Sequence, residues 1–136
     1  MGKLNGQVAI ITGGARGIGE GICKVFCNEG AMVALWDIMD EGQNTADRIK
    51  DEGGEIIFQK VNVSDQSSVD KAVEKLISEY GKIDILINNA GIIRDRSFLK
   101  MSRDEWDRVI DVNINSLYVT TRTVLPHMKE AKYGRI

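Results

Sequence analysis

The residues with the most direct chemical meaning are Thr12-Gly13-Gly14-Ala15-Arg16-Gly17-Ile18-Gly19. They follow a short apolar run and open a stretch of helical spacing, so the chain turns sharply there from strand to helix. Such a turn aims free backbone N–H groups and the positive end of the helix at one point, which suits a pyrophosphate. Its glycines permit positive φ angles and remove the Cβ atoms that would block close approach. The spacing Gly13-x-x-x-Gly17-x-Gly19 differs from G-x-G-x-x-G, and the absence of a Gly-Lys-Ser/Thr sequence argues against a P-loop ATPase. A plain strand-to-helix turn has the same look, so a second residue has to decide.

Asp37 is that residue. It stands eighteen positions after Gly19, at the end of the next apolar run, where an acidic side chain hydrogen-bonds the adenosine ribose hydroxyls. It also sorts the cofactors, because NADP carries a phosphate in place of the 2′-hydroxyl. Two like unit charges ~4 Å apart repel by ~1 kcal/mol in water and ~4 kcal/mol at an effective dielectric near 20. Arg16 softens this by reaching towards a phosphate, but the repulsion dominates, so the expected cofactor is NAD, with NADP disfavoured.

The elements that must position these residues alternate between strand and helix. Val8-Ala9-Ile10-Ile11 reads as a buried strand, and helical spacing follows from 17 to 29, with Ile18, Ile22, Val25 and Phe26 assigned to its apolar face. Gly30 stops that helix. Val33-Ala34-Leu35-Trp36 is the second strand. A weaker helix covers 41–51, and Ile56-Ile57-Phe58 is the third strand. Ser64 or Asp65 caps a helix whose stripe is Val69, Ala72, Val73, Leu76, Ile77 and Tyr80. Ile83-Asp84-Ile85-Leu86-Ile87 is the fourth strand, and it ends in the polar loop Asn88-Asn89-Ala90-Gly91. Ser102 and Glu105 form a capping box, with Met101 and Trp106 at hydrophobic-staple positions. The helix they start continues past Asn113 towards Met128, with a kink expected at Pro126.

Alternation of this kind implies a doubly wound parallel sheet in a three-layer α/β/α, Rossmann-like domain over residues 1–136. Right-handed crossovers place its strands in the order 3-2-1-4. The ligand crevice then opens between strands 1 and 4, where the glycine turn and the Asn88-Asn89-Ala90-Gly91 loop meet. Gly134-Arg135-Ile136 reads as the entry to a fifth strand, so the chain is expected to be the N-terminal portion of one longer domain.

The 136 residues are 43% hydrophobic and 28% charged with a net charge of −2, the composition of an ordinary globular protein. That charge gives no electrostatic reason to expect nucleic acid or an anionic membrane as partner. No apolar run approaches the ~20 residues that span a bilayer. No signal region follows Lys3, so a cytoplasmic location is expected. Cys23 and Cys27 lie one turn apart on one helix and the single histidine, His127, is distant, which points to two reduced structural thiols and no metal site.

Taken together, residues 12–19, Asn88-Asn89-Ala90-Gly91 and Asp111-Val112-Asn113 resemble the short-chain dehydrogenase/reductase family, in order and over essentially the whole chain. The stretches at 88–95, 105–113 and 124–128 look most like its 3-oxoacyl-(acyl carrier protein) reductase branch. The resemblance implies that Gly13, Arg16, Gly17, Ile18 and Gly19 line the pyrophosphate and that Asp37 meets the adenosine ribose. Asn62 and Val63 stand where the family places an aspartate–valine pair against the adenine, and an asparagine oxygen can still accept from the adenine amino group. Asn89, Ala90 and Gly91 then support the sheet and approach the nicotinamide ribose. Asn113 matches the catalytic asparagine, which holds a water of the proton relay through a local break in the long helix. That helix packs on a partner subunit in the family, implying a homo-oligomer.

The family also uses a serine after the fifth strand and a Tyr-x-x-x-Lys on the helix that follows, where lysine and cofactor lower the tyrosine pKa. Neither is present in these 136 residues; Tyr118 is followed by Arg122 and lies at the wrong distance from Asn113. The expected activity is therefore that of an NAD(P)-dependent oxidoreductase interconverting a carbonyl and a secondary alcohol, with this chain supplying the cofactor site. Candidate substrates are a 3-oxoacyl thioester, a hydroxy acid, a sugar alcohol or a hydroxysteroid. The alternative is a catalytically inactive cofactor-binding module. A methyltransferase using S-adenosylmethionine shares the glycine turn and the acidic strand end, but not the Asn88-Asn89-Ala90-Gly91 loop.

Overall fold

The computed structural model describes residues 2–136. Strands β1 (Val8–Thr12), β2 (Met32–Asp37), β3 (Ile56–Lys60) and β4 (Ile85–Ile87) form one parallel sheet in the order β3-β2-β1-β4. Helices α1 (Gly17–Asn28), α2 (Glu41–Asp51), α3 (Gln66–Tyr80), α4 (Arg103–Ile110) and α5 (Ser116–Ala131) make the connections. The expected fold class and strand order are both observed.

Period-two alternation divides the core into two layers. Ile10, Ala34, Trp36 and Leu86 point to one face, against Val69, Val73 and Leu76 of α3 and Val124 and Met128 of α5. Ile11, Val33 and Leu35 point to the other, against Cys23 of α1 and Ala46 and Ile49 of α2. Both faces are covered, which is why the strands read as unbroken apolar runs.

The buried face of α1 differs from the expected one. Gly19 and Cys23 are buried, with Ile22 and Phe26 packed beside them, whereas Ile18 is 78% and Val25 57% exposed. The reason lies at Gly19, where a Cβ would stand 2.1 Å from the Gly13 carbonyl oxygen. Only glycine fits against the turn, so the helix rotates to seat it, which carries Val25 outward and leaves Ile18 at the mouth of the crevice.

Other boundaries shift by small amounts. Asp65 rather than Ser64 caps α3, accepting from the Ser68 N–H at 3.2 Å. β4 starts at Ile85, two residues later than expected, because Asp84 turns its carboxylate back to the Val8 N–H at 2.8 Å and to Lys82 Nζ at 2.8 Å. The capping box at Ser102 and Glu105 is present, and the Trp106 ring stands edge-on to Phe98 at 6.1 Å. Residues Asp111–Asn115 widen into a π-helical turn between α4 and α5, and α5 runs on through Pro126. Arg135 then pairs with Ile85 in a parallel bridge on the outer side of β4, where a fifth strand was expected. Among the described residues, no helix is long and apolar enough to cross a membrane.

Candidate functional site

The first and fourth strands are stitched together at their carboxyl ends. Thr12 Oγ1 donates to the Ile87 carbonyl at 3.2 Å and accepts from the N–H groups of Asn89 and Ala90 at 3.0 and 2.9 Å. Asn89 Nδ2 returns the bond, donating to the Thr12 and Gly13 carbonyls at 3.0 and 3.1 Å. Those carbonyls are thus turned away from the crevice. Gly17 has φ +58° with nothing within 4 Å of where a Cβ would be, and no side chain caps the start of α1. The first N–H groups of that helix therefore lie open, in a cradle that a side chain at Gly17 would intrude upon.

Asp37 closes one side of this cradle. Its Oδ2 accepts from the Ala15 N–H at 3.0 Å and its Oδ1 from the Met39 N–H at 3.0 Å. Each carboxylate oxygen keeps lone pairs for a further donor such as a ribose hydroxyl. Asn62, two residues past the end of β3, uses its Oδ1 to accept from the Ser64 N–H at 3.1 Å. Ser64 Oγ in turn reaches the Asp111 carbonyl at 3.3 Å, tying the β3–α3 loop to the π-helical turn.

These elements enclose a cavity of about 460 Å³. Gly13, Arg16, Gly17, Ile18, Gly19, Asp37, Asn62, Val63, Asn89, Ala90 and Gly91 all line it. Asn113 lies just behind its wall. Both polar atoms of that side chain clasp the Ile92 backbone, Oδ1 accepting from its N–H at 2.8 Å and Nδ2 donating to its carbonyl at 3.0 Å. Asn88 is held apart, its Oδ1 accepting from Thr120 Oγ1 at 2.7 Å.

Sequence reasoning missed Trp36, Ile38, Met39, Arg108, Asp111 and Val112, which also line the cavity. The last three had a readable signal, since positions 108, 111 and 112 share one helical face. The cysteines stand outside it. Burial, with Cys27 adding to it, pushes the Cys23 thiol up to about 12, and burial pushes Cys27 up to about 11. Neither is a thiolate nucleophile at neutral pH. Among the described residues, no group of three or more His, Cys, Asp or Glu side chains is placed to hold a metal.

A family model described as short chain dehydrogenase matches residues 7–136. The chain belongs to the short-chain dehydrogenase family. It is 45% identical to the 3-oxoacyl-(acyl-carrier-protein) reductase FabG of Chlamydia pneumoniae, over 98% of this chain and 54% of that protein. It is 44% identical to the oxidoreductase UcpA of Escherichia coli K12, over 100% of this chain and 52% of that one. A crystal structure described as a short-chain dehydrogenase/reductase from Burkholderia xenovorans superposes with a TM-score of 0.94 at 27% identity, covering 98% of this chain and 55% of that one. The chain thus spans about half the length of the relatives it matches.

Proposed function

We propose that this chain binds NAD and forms the cofactor-binding part of an oxidoreductase that interconverts a carbonyl and a secondary alcohol. The observation that carries the reading is the convergence of all eleven residues expected to bind cofactor on one cavity at the sheet's switch point. The donor set fits a dinucleotide: open N–H groups at the start of α1 for the pyrophosphate, and an anionic acceptor at the end of β2 for the ribose. Asn62 and Val63 flank the adenine position, with Asn62 keeping acceptor capacity on its amide oxygen. Asn89, Ala90 and Gly91 stand at the nicotinamide end, on the loop that Asn113 clasps through Ile92. The nicotinamide, when bound, would accept the hydride from an alcohol or, in its reduced form, give it to a carbonyl; these residues would bind and orient it.

Asp37 favours NAD over NADP, although Arg16 lines the same cavity. A 3-oxoacyl thioester is one candidate substrate, by likeness to the FabG proteins; a hydroxy acid, sugar alcohol or hydroxysteroid is an equal one. The serine and Tyr-x-x-x-Lys of the family's chemistry would have to be supplied beyond these residues, in a cytoplasmic enzyme. A second reading, a binding module without turnover, is favoured by Tyr118, which is 64% exposed and stacks with the Arg122 guanidinium 5.7 Å from its ring centre, not on the cavity wall. A homo-oligomer is proposed through the outward stripe of α5, where Leu117, Tyr118 and Leu125 are exposed, continued by Ile114 of the π-helical turn before it.

Titration of the complete polypeptide with each cofactor, followed by tryptophan fluorescence, tests the site. NAD is expected to bind at least about tenfold more tightly than NADP, the ratio that ~1.4 kcal/mol of extra repulsion produces. Failure of both to bind overturns the reading, and equal binding overturns the preference. Reduction of NAD coupled to oxidation of an alcohol, in a protein whose intact mass is about twice that of this chain (15.1 kDa), separates the enzyme from the silent module.

A further inference from the structure

For a turn to present N–H groups to an anion, its carbonyls must be pinned elsewhere. Asn89 does this for Thr12 and Gly13. The next pinned carbonyl, that of Ala15, accepts from Thr45 Oγ1 at 2.7 Å. Thr45 is a fully buried residue of α2, a helix to which the dinucleotide reading gives no part. Ala15 is itself 1% exposed, and its N–H is held by Asp37 from the other side.

The Thr45 hydroxyl has a defined direction. Its oxygen accepts from Arg48 Nη2 at 3.2 Å, and the same nitrogen reaches Glu20 Oε1 at 3.0 Å in the first turn of α1. With the guanidinium on its lone pair, the hydroxyl hydrogen is committed to Ala15. The Ala15 carbonyl and the Arg16 N–H belong to one trans peptide unit and point in opposite directions. Fixing the carbonyl into α2 therefore turns the Arg16 N–H outward. That N–H has no protein partner among the described residues, and Arg16 lines the cavity.

We infer that Thr45 is a positioning residue for the pyrophosphate subsite, locking the Ala15–Arg16 peptide so that its N–H rather than its carbonyl faces the phosphate. The inference rests on the dinucleotide reading of the cavity. It requires no contact between Thr45 and the ligand: Arg48 orients the hydroxyl, the hydroxyl orients the peptide, and the peptide meets the anion. Without the lock, rotation of that one unit replaces a donor by an acceptor at the place where negative charge must sit.

The test compares ADP-ribose, which carries the pyrophosphate, with adenosine, which does not, on the complete polypeptide. Thr45→Val is expected to weaken ADP-ribose about tenfold, the effect of losing one hydrogen bond to a charged group. Adenosine binding should stay unchanged and Thr45→Ser should restore ADP-ribose. Equal losses of both ligands, an indifferent Thr45→Val, or a serine variant as weak as valine each overturns the lock. Should Thr45→Val not fold, the surface variant Arg48→Met decides: ADP-ribose weakened about threefold with adenosine unchanged supports the lock, and unchanged ADP-ribose overturns it. Wild-type protein that fails to bind ADP-ribose at all sinks the dinucleotide reading instead, so the two failures are distinct.

Discussion

The two sides of the sheet's switch point are built differently. On the β1–β2–β3 side the Asp37 carboxylate and the Thr45 hydroxyl hold the turn after β1, with the Asn89 carboxamide reaching across to it from the loop after β4. On the β4 side the strand has three residues, and the chain beyond it exposes Ile93, Phe98 and Leu99 at 83%, 76% and 96%. The first side is complete within this chain and presents a ligand cradle. The second offers apolar surface that gains from being covered, whether by more chain or by another copy. The cradle and this exposed apolar surface thus lie apart, and each can be altered on its own.

The largest effect is expected on the complete side. Gly19→Val puts a Cβ 2.1 Å from the Gly13 oxygen and 2.7 Å from Asn89 Nδ2, both of which are fixed. Helix and turn have to separate, at a cost of about 3 kcal/mol of stability, which chemical denaturation measures. NAD affinity should fall by at least about 100-fold, the equivalent of ~2.7 kcal/mol. A variant that binds NAD normally would show that the turn is not the cradle.

Asp37→Ala comes next. It removes an acceptor from the Ala15 and Met39 N–H groups as well as from a ribose. NAD should weaken about tenfold and NADP by less, because for NADP the loss is offset by the relief of repulsion. Calorimetric titration of both cofactors checks this, and equal losses would leave Asp37 as a turn support with no part in selectivity.

On the other side, Leu117→Lys is expected to change assembly and spare binding. Leu117 is 41% exposed on the outward stripe of α5, away from the cavity. Light scattering should show a smaller species while NAD affinity stays within about twofold. An unchanged mass would remove α5 from the proposed interface.

How far the sequence told these sides apart depended on the kind of group involved. Strand ends, glycines and Asp37 were legible because a nucleotide cradle needs particular residue types at particular strand ends. The face of α1 was misread because apolar spacing alone admits two adjacent stripes, and the choice was made by Gly19, a residue with no hydrophobicity to count. Asn113 was assigned a role through resemblance, but its partner is the backbone of Ile92, twenty-one positions earlier, which no local pattern encodes. Thr45 was invisible for a related reason. A threonine in a polar helix reads as solvated, and only the tertiary fold reveals that it is fully buried against the turn.

The smallest expected effect concerns the layer behind the turn, where a Cβ on Gly14 would stand 3.1 Å from Cys23 Sγ. The buried thiol is pushed up to about 12 from 9.0. In the unfolded chain it ionises near the ordinary value, so between these two values the folded state holds the extra proton. Stability from this group is therefore fully present below about pH 9 and is lost as pH rises towards 12. Urea midpoints should be flat from pH 7 to 8 and fall above about pH 9, and Cys23→Ala should remove part of that fall. Cys27, raised to about 11, should account for a smaller share. A slope unchanged by Cys23→Ala would mean that the layer under the glycine turn opens to solvent more readily than its packing implies, and the complete side of the comparison would then be the looser one.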